Sequence, residues 1–189
     1  MTTVAASDSA DPADRTELEE RLVSAFRWHG GHADFAAVWR DPVLVRGLGP
    51  ALASPFADAA VTAVVGVEAR GFVLGALVAE ALGVGLVLAR KPGSVHPGAT
   101  SATGADLDWR GRTVELRVSR AAVRRGERLL VVDDWVETGS HVRTLAGLVQ
   151  SLGAVVAGVA VIVDDTAASV REEFGVVGLV RSAQLRLSE

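Results

Sequence analysis

The chain has no cysteine, no tyrosine and no asparagine, and Lys91 is its one lysine. Without cysteine there are no disulfides and no thiolate metal sites. No apolar run reaches the roughly 18 residues a membrane helix needs, so no membrane partner is expected. Net charge is also small, -4 over 189 residues. That balance gives no general attraction to nucleic acid or anionic lipid. The opening stretch MTTVAASDSADPADR lacks a basic n-region and an apolar h-region, so no secretory signal is expected and the cytoplasm is the expected compartment. The scarcity of lysine beside abundant Arg, Ala, Val and Gly is a compositional bias, so the arginine excess says little about function.

The composition is 49% hydrophobic and 22% charged, a globular balance at a length that fits one domain with a proper core. Residues 1–15 are small and polar and read as a disordered tail, and residues 16–189 as a single domain. Thr16 and Glu19 have capping-box spacing for a helix over 16–27, with Leu18, Leu22, Val23 and Phe26 on its apolar face. WHGGHADF reads as a glycine-broken loop. Asp41-Pro42 signals the start of a helix running to 57.

From there apolar runs alternate in type. Strands are expected at 61–67, 84–89, 113–118, 128–132 and 155–163, and helices at 71–82 and 141–152. Residues 91–111, rich in Gly, Pro, Ser and Thr, read as a long functional loop. Strand and helix taking turns, with continuous apolar strands, predict an α/β fold: a parallel sheet covered by helices on both faces.

The chemistry centres on LLVVDDWVETGSH, residues 129–141. In an open α/β sheet, ligands bind beyond the carboxyl ends of the strands. Asp133 and Asp134 fall at such an end, and Thr138-Gly139-Ser140 falls in the turn opening the next helix. A helix N-terminus offers free N–H groups and a positive dipole end, which suit phosphate. Carboxylates accept from sugar hydroxyls, directly or through a divalent cation. A ribose 5-phosphate group matches that pattern.

Other readings fit less well. A Walker B strand needs a P-loop, and GVEARGF has glycine spacing but no lysine. A receiver domain needs a longer α/β domain after its acidic pair. Exposed aspartates capping a helix are the plain alternative, which the added Thr-Gly-Ser turn makes less apt. His29, His32 and Asp34 are a weak metal signal. Arginines clustered over 110–128 read as solvated faces rather than a nucleic-acid surface.

The same stretch resembles the phosphoribosyl pyrophosphate (PRPP) motif of type I phosphoribosyltransferases. VVGVEARGFVLGALVAEALG followed by VGLVLARKPG is similar to the adenine phosphoribosyltransferase branch. The order of segments matches over about residues 20–165. The resemblance implies the type I fold with a small N-terminal hood and a long flexible lid over 94–112. It also implies Mg2+, PRPP and a nucleobase as partners, and a homodimer. Asp133 and Asp134 would hold the ribose hydroxyls, with Mg2+ carried mainly by PRPP and at most touched by these two acids. Glu137, Thr138, Gly139, Ser140 and His141 would form the 5-phosphate loop. Glu68, Ala69, Arg70 and Gly71, with a cis peptide known in relatives, would form the pyrophosphate loop, joined by Arg90 and Lys91. Trp135 would stack on the base.

The base end departs from the adenine pattern. ETGSH stands for the usual ATGGT, and Glu137 falls where 6-oxopurine enzymes place a proton-transferring Asp. His32-Ala33 stands for the hood's Phe-Arg, and Asp108-Trp109 for the lid's Glu-Tyr. Glu137 and Asp108 are thus the candidate catalytic residues, and His32 and Trp109 candidate base contacts. An adenine-type transferase is the expected function. A PRPP- or nucleotide-binding regulator, and a transferase for a 6-oxopurine or another heterocycle, stand as alternatives.

Overall fold

The computed structural model describes residues 12–93, 99–107, 111 and 113–185. The predicted tail falls mostly outside them. The first helix, α1 (Pro12–Ala25), starts ahead of Thr16. Thr16 therefore sits inside the helix rather than at its cap, and Glu19 accepts from Arg15 Nε at 2.8 Å instead. The apolar face is as expected, with Leu18, Leu22 and Phe26 buried.

The predicted WHGGHADF loop is a β-hairpin, β1 (Arg27–His29) and β2 (His32–Asp34). Gly30 and Gly31 have φ of 57° and 76°. Two successive positive φ values make the tight two-residue turn whose twist suits a hairpin, and only glycine adopts both freely. The predicted helix from Asp41 to 57 is shorter. It is α3 (Pro42–Ala53), preceded by the short α2 (Ala36–Arg40) and followed by a 3-10 turn. Asp41 caps α3, accepting from Val43 N at 2.8 Å and Leu44 N at 3.4 Å.

The centre is a five-stranded parallel sheet in the order β4-β3-β7-β8-β9. Its strands are β3 (Ala63–Val67), β4 (Gly85–Ala89), β7 (Arg128–Val136), β8 (Val155–Asp164) and β9 (Val176–Val180). One face carries Val64, Leu130, Val132 and Ile162 against α1, α3 and α4 (Arg70–Leu82). The other carries Val65, Leu129, Val131 and Val161 against α5 (Ser140–Ser151). Each such fully buried side chain contributes about 1.5–3 kcal/mol. Both faces are covered, as the continuous apolar strands require.

Three differences bear on the site. The predicted 94–112 loop contains a strand, β5 (Ala99–Leu107), paired antiparallel with β6 (Thr113–Ser119) in a ribbon of its own. Val114, Leu116 and Val118 alternate inward from β6, so the alternation read there belongs to a half-buried ribbon and not to the main sheet. Second, β7 does not stop at Val132 but runs through Asp133 and Asp134 to Val136. Its backbone pairs with β8 there (Asp133 with Val161, Trp135 with Val163), and ladder pairing outweighs the poor strand propensity of Asp. Third, α6 (Ala168–Phe174), β9 and α7 (Ser182–Leu185) were not foreseen.

Candidate active site

Beyond the carboxyl ends of β3, β7 and β8 lies one cavity of about 420 Å³. Its lining includes Arg70, Lys91, Asp133, Asp134, Trp135, the turn Glu137–His141, and His32 of the hood. Those sequence-predicted residues come together from four separate segments. Glu68, Ala69, Gly71 and Arg90 do not line it. Asp108 and Trp109 lie outside the described residues.

The acidic pair is tightly placed. Asp134 N donates to Asp133 Oδ1 at 2.9 Å. Burial, and then the neighbouring charge of Asp134, hold the Asp133 carboxyl well above the usual carboxylate range. Asp134 is buried, and its Oδ2 lies 3.0 Å from Arg70 Nη2 without the angle of a hydrogen bond. Arg70 also donates to Ala33 O at 3.3 Å and stands 5.0 Å over the Phe35 ring. This one guanidinium therefore ties the hood to the acid.

Glycine makes the crowding possible. A Cβ on Gly71 would sit 2.7 Å from Val132 O and 3.1 Å from Asp133 Oδ1. Any larger residue would push α4 away from the acidic strand. The Glu68–Ala69 peptide just before α4 is cis. Glu68 works beside the cavity: its Oε2 accepts from Lys91 N at 2.8 Å, which fixes the exit of β4. Arg90 turns aside, with its guanidinium 5.4 Å over Phe72 and its backbone bridged to Arg117 of the ribbon.

The turn before α5 has the form expected of an anion cradle. Gly139 takes the left-handed conformation, φ 74°, at the N-cap of α5. A side chain there would meet Val170 Cγ1 at 2.6 Å. Thr138 and Ser140 hydroxyls are 2.9 Å apart, and Ser140 N donates to Thr138 Oγ1 at 3.3 Å. The N–H groups of this first turn and the two hydroxyls form a donor cluster at the positive end of α5. Glu137 is exposed at the rim of the cavity.

At the other end are aromatic groups. Trp135 lies 5.8 Å from Trp28, edge to face, and Trp28 lies 5.3 Å from the fully buried Phe26. Trp28 Nε1 donates to Leu185 O at 3.3 Å and so joins the hood to α7. The sequence reading missed Trp28, Ala33, Val136, Asp165 and Ser182, which also line the cavity. Trp28 carried a signal, an aromatic beside a Gly-Gly turn. Asp165 and Ser182 carried one only in hindsight, as polar residues just after apolar strands.

The arrangement is a slot whose lining combines a donor-rich turn, two carboxylates and aromatic side chains. It matches known proteins in both sequence and shape. Residues 51–183 match the family described as "Phosphoribosyl transferase domain". The adenine phosphoribosyltransferase of Methylococcus capsulatus is 40% identical over 139 residues, 74% of this chain and 80% of the relative. That of Streptomyces coelicolor is 39% identical over 156 residues, covering 79% and 84%. The crystal structure of adenine phosphoribosyltransferase from Rhodothermus marinus superposes with a TM-score of 0.75 at 27% identity, over 88% of this chain and 99% of that one. A cavity built this way, in a chain related to these proteins along most of its length, has one family explanation: the chain belongs to the phosphoribosyltransferases, in their adenine phosphoribosyltransferase branch.

Proposed function

We propose that the protein transfers the 5-phosphoribosyl group of PRPP to adenine, giving AMP and pyrophosphate. The reading rests on one observation above all. A single cavity is lined by the Glu137–His141 turn, the Asp133–Asp134 pair and Trp135 with Trp28, which supports a reading with phosphate at the turn, ribose at the acids and base at the indoles. In the reaction the C1–O bond to pyrophosphate breaks, a C1–N9 bond forms and the N9 proton is lost. Little covalent work falls to the protein. Holding both reactants in line and stabilising the departing pyrophosphate carry most of the rate.

On this reading Asp133 and Asp134 accept from the ribose hydroxyls. A ribose hydroxyl donor replaces Arg70 at Asp134, which frees Arg70 to join Lys91 on the pyrophosphate. Gly71 and Ala69 set the path of that loop, Glu68 holds Lys91 in place, and Arg90 adds positive charge behind it. Trp135 and His32 flank the base. Glu137, at the rim, takes the proton lost from the base, and Asp108 and Trp109 are further candidates, as a catalytic group and a base contact.

The acidic pair offers hard oxygen donors, and Asp134 Oδ2 is buried without a hydrogen bond. Among the described residues no cluster of three or more metal-ligating side chains accompanies them. These residues fit a Mg2+ ion held chiefly by PRPP oxygens, with the pair as neighbours. When bound, the ion supplies positive charge against the pyrophosphate. The proposal includes a cytoplasmic homodimer; among the described residues no helix is long and apolar enough to cross a membrane.

The test is incubation with PRPP and Mg2+ against a panel of bases, reading pyrophosphate release. Release with adenine is expected. Release only with a 6-oxopurine or another heterocycle would replace adenine as the acceptor. Silence across the panel with PRPP still bound would make the protein a regulator. Glu137→Gln is expected to lower kcat more than PRPP affinity, and equal losses would remove its proton-transfer role.

A further inference from the structure

The cavity has a wall that the family motifs do not describe, the end of β8 and the turn after it. Two aspartates stand there in sequence, Asp164 and Asp165, and they are used differently. Asp164 is buried and fully engaged. Its Oδ1 accepts from Thr166 N at 2.9 Å and Thr166 Oγ1 at 2.6 Å, and its Oδ2 accepts from Arg171 Nε at 2.7 Å. Arg171 closes the turn by donating to Thr166 O at 2.7 Å, and Arg181 faces the same carboxylate at 3.6 Å. The residue before Thr166 is thereby held in one orientation.

That residue, Asp165, is half-buried and lines the cavity. Its N–H donates to Val136 O at 2.9 Å, which seats it against β7 beside Trp135. Its Oδ1 accepts from Ser182 N at 3.1 Å. Oδ2 accepts no hydrogen bond among the described residues. Arg171 and Arg181 both pair with Asp164, so Asp165 keeps one carboxylate oxygen without a hydrogen bond beside a cavity that Trp28 and His32 also line.

We propose that Asp165 is a specificity-determining residue: its free oxygen accepts from an amino group on the acceptor base, so the pocket takes an aminopurine over the corresponding oxopurine. This rests on the reading that the base occupies the slot between Trp135 and the hood. The physical basis is the donor and acceptor inventory. A carboxylate only accepts, so an amino group makes a charge-assisted bond to it. A carbonyl oxygen in the same place sets lone pairs against a negative charge and is rejected.

The experiment compares wild type, Asp165→Asn and Asp165→Leu. It measures kcat/KM with adenine and hypoxanthine, and equilibrium binding of AMP, IMP and PRPP. Asn keeps the acceptor toward Ser182 and adds an amide donor. Asp165→Asn is expected to lower the adenine-over-hypoxanthine ratio about ten- to a hundredfold, with PRPP binding unchanged. Asp165→Leu is expected to lose affinity for AMP without gaining it for IMP. An unchanged ratio, or equal losses for AMP and IMP, would overturn the assignment. The proposed reaction fails separately. If wild type binds PRPP but turns over no base, the AMP-against-IMP binding ratio in Asp165→Asn still decides the role of Asp165.

Discussion

Two neighbouring strands of this sheet carry an apolar run into a pair of aspartates, and the leading acids serve opposite purposes. β7 contains LLVVDD, and β8 closes on VAVIVD with Asp165 following in the turn. At the end of β8 the buried Asp164 meets two arginines and a threonine. Burial raises its carboxyl, but the hydrogen bonds from Arg171 and Thr166 and the charge of Arg181 outweigh that, and the net shift is downward. At the end of β7 Asp133 meets another carboxylate and no such network, and burial holds it up. Asp164 secures a turn. On β7, Asp134 keeps a buried carboxylate oxygen without a hydrogen bond beside the cavity. An unfavourable local environment in an otherwise well-paired protein marks where the ligand's contacts are missing.

The comparison breaks most visibly under substitution of the β7 pair. Asp133→Asn with Asp134→Asn is expected to lower PRPP affinity about 100-fold or more while the protein stays folded; titration calorimetry with a circular dichroism spectrum checks both halves. The matching change in β8, Asp164→Asn, should cost about 2 kcal/mol of stability, since it strips charge-assisted bonds from a buried turn. Urea unfolding at neutral pH measures that, and PRPP affinity should hold.

Asp133→Asn alone should do the reverse and stabilise the empty protein by about 1 kcal/mol, because it removes a desolvated charge. pH sharpens this last contrast. The folded protein binds more protons at Asp133 than the unfolded chain does between pH 3.8 and the raised value. Stability contributed there falls as pH rises through that window. The gain from Asp133→Asn is therefore present at neutral pH and disappears below 3.8. Asp164, with a lowered value, contributes fully above 3.8 and loses that contribution as pH falls through the folded-state value. Unfolding curves for both variants across this range should diverge in opposite senses.

The sheet was legible because its strands are continuous apolar runs, and the turn before α5 because Thr-Gly-Ser follows one of them at helix-start spacing. The hood hairpin was missed although Gly30-Gly31 is a strong turn pair: three-residue strands are too short to show alternation. β5 was missed because ATSATGADL has few apolar side chains, and its pairing comes from β6. Trp135 packs against the core cluster that holds Val132 although the two stand three positions apart, which strict alternation would put on opposite faces, so pleat alternation alone does not place the indole. Asp165 stayed out of sight for a different reason. In sequence it is the second half of a strand-end acidic pair, and only the Arg171 and Arg181 contacts show that its neighbour Asp164 is structural. Long-range pairing of that kind has no local signature.

The central claim is that the β7 acids and the α5 turn grip one phosphoribosyl group. A crystal structure of the protein with AMP tests it most directly. The expected result has both ribose hydroxyls within hydrogen-bond distance of Asp133 and Asp134, and the phosphate on the amides of residues 138–141. A ribose phosphate seated elsewhere in the slot, with the acids still facing Arg70, would contradict it.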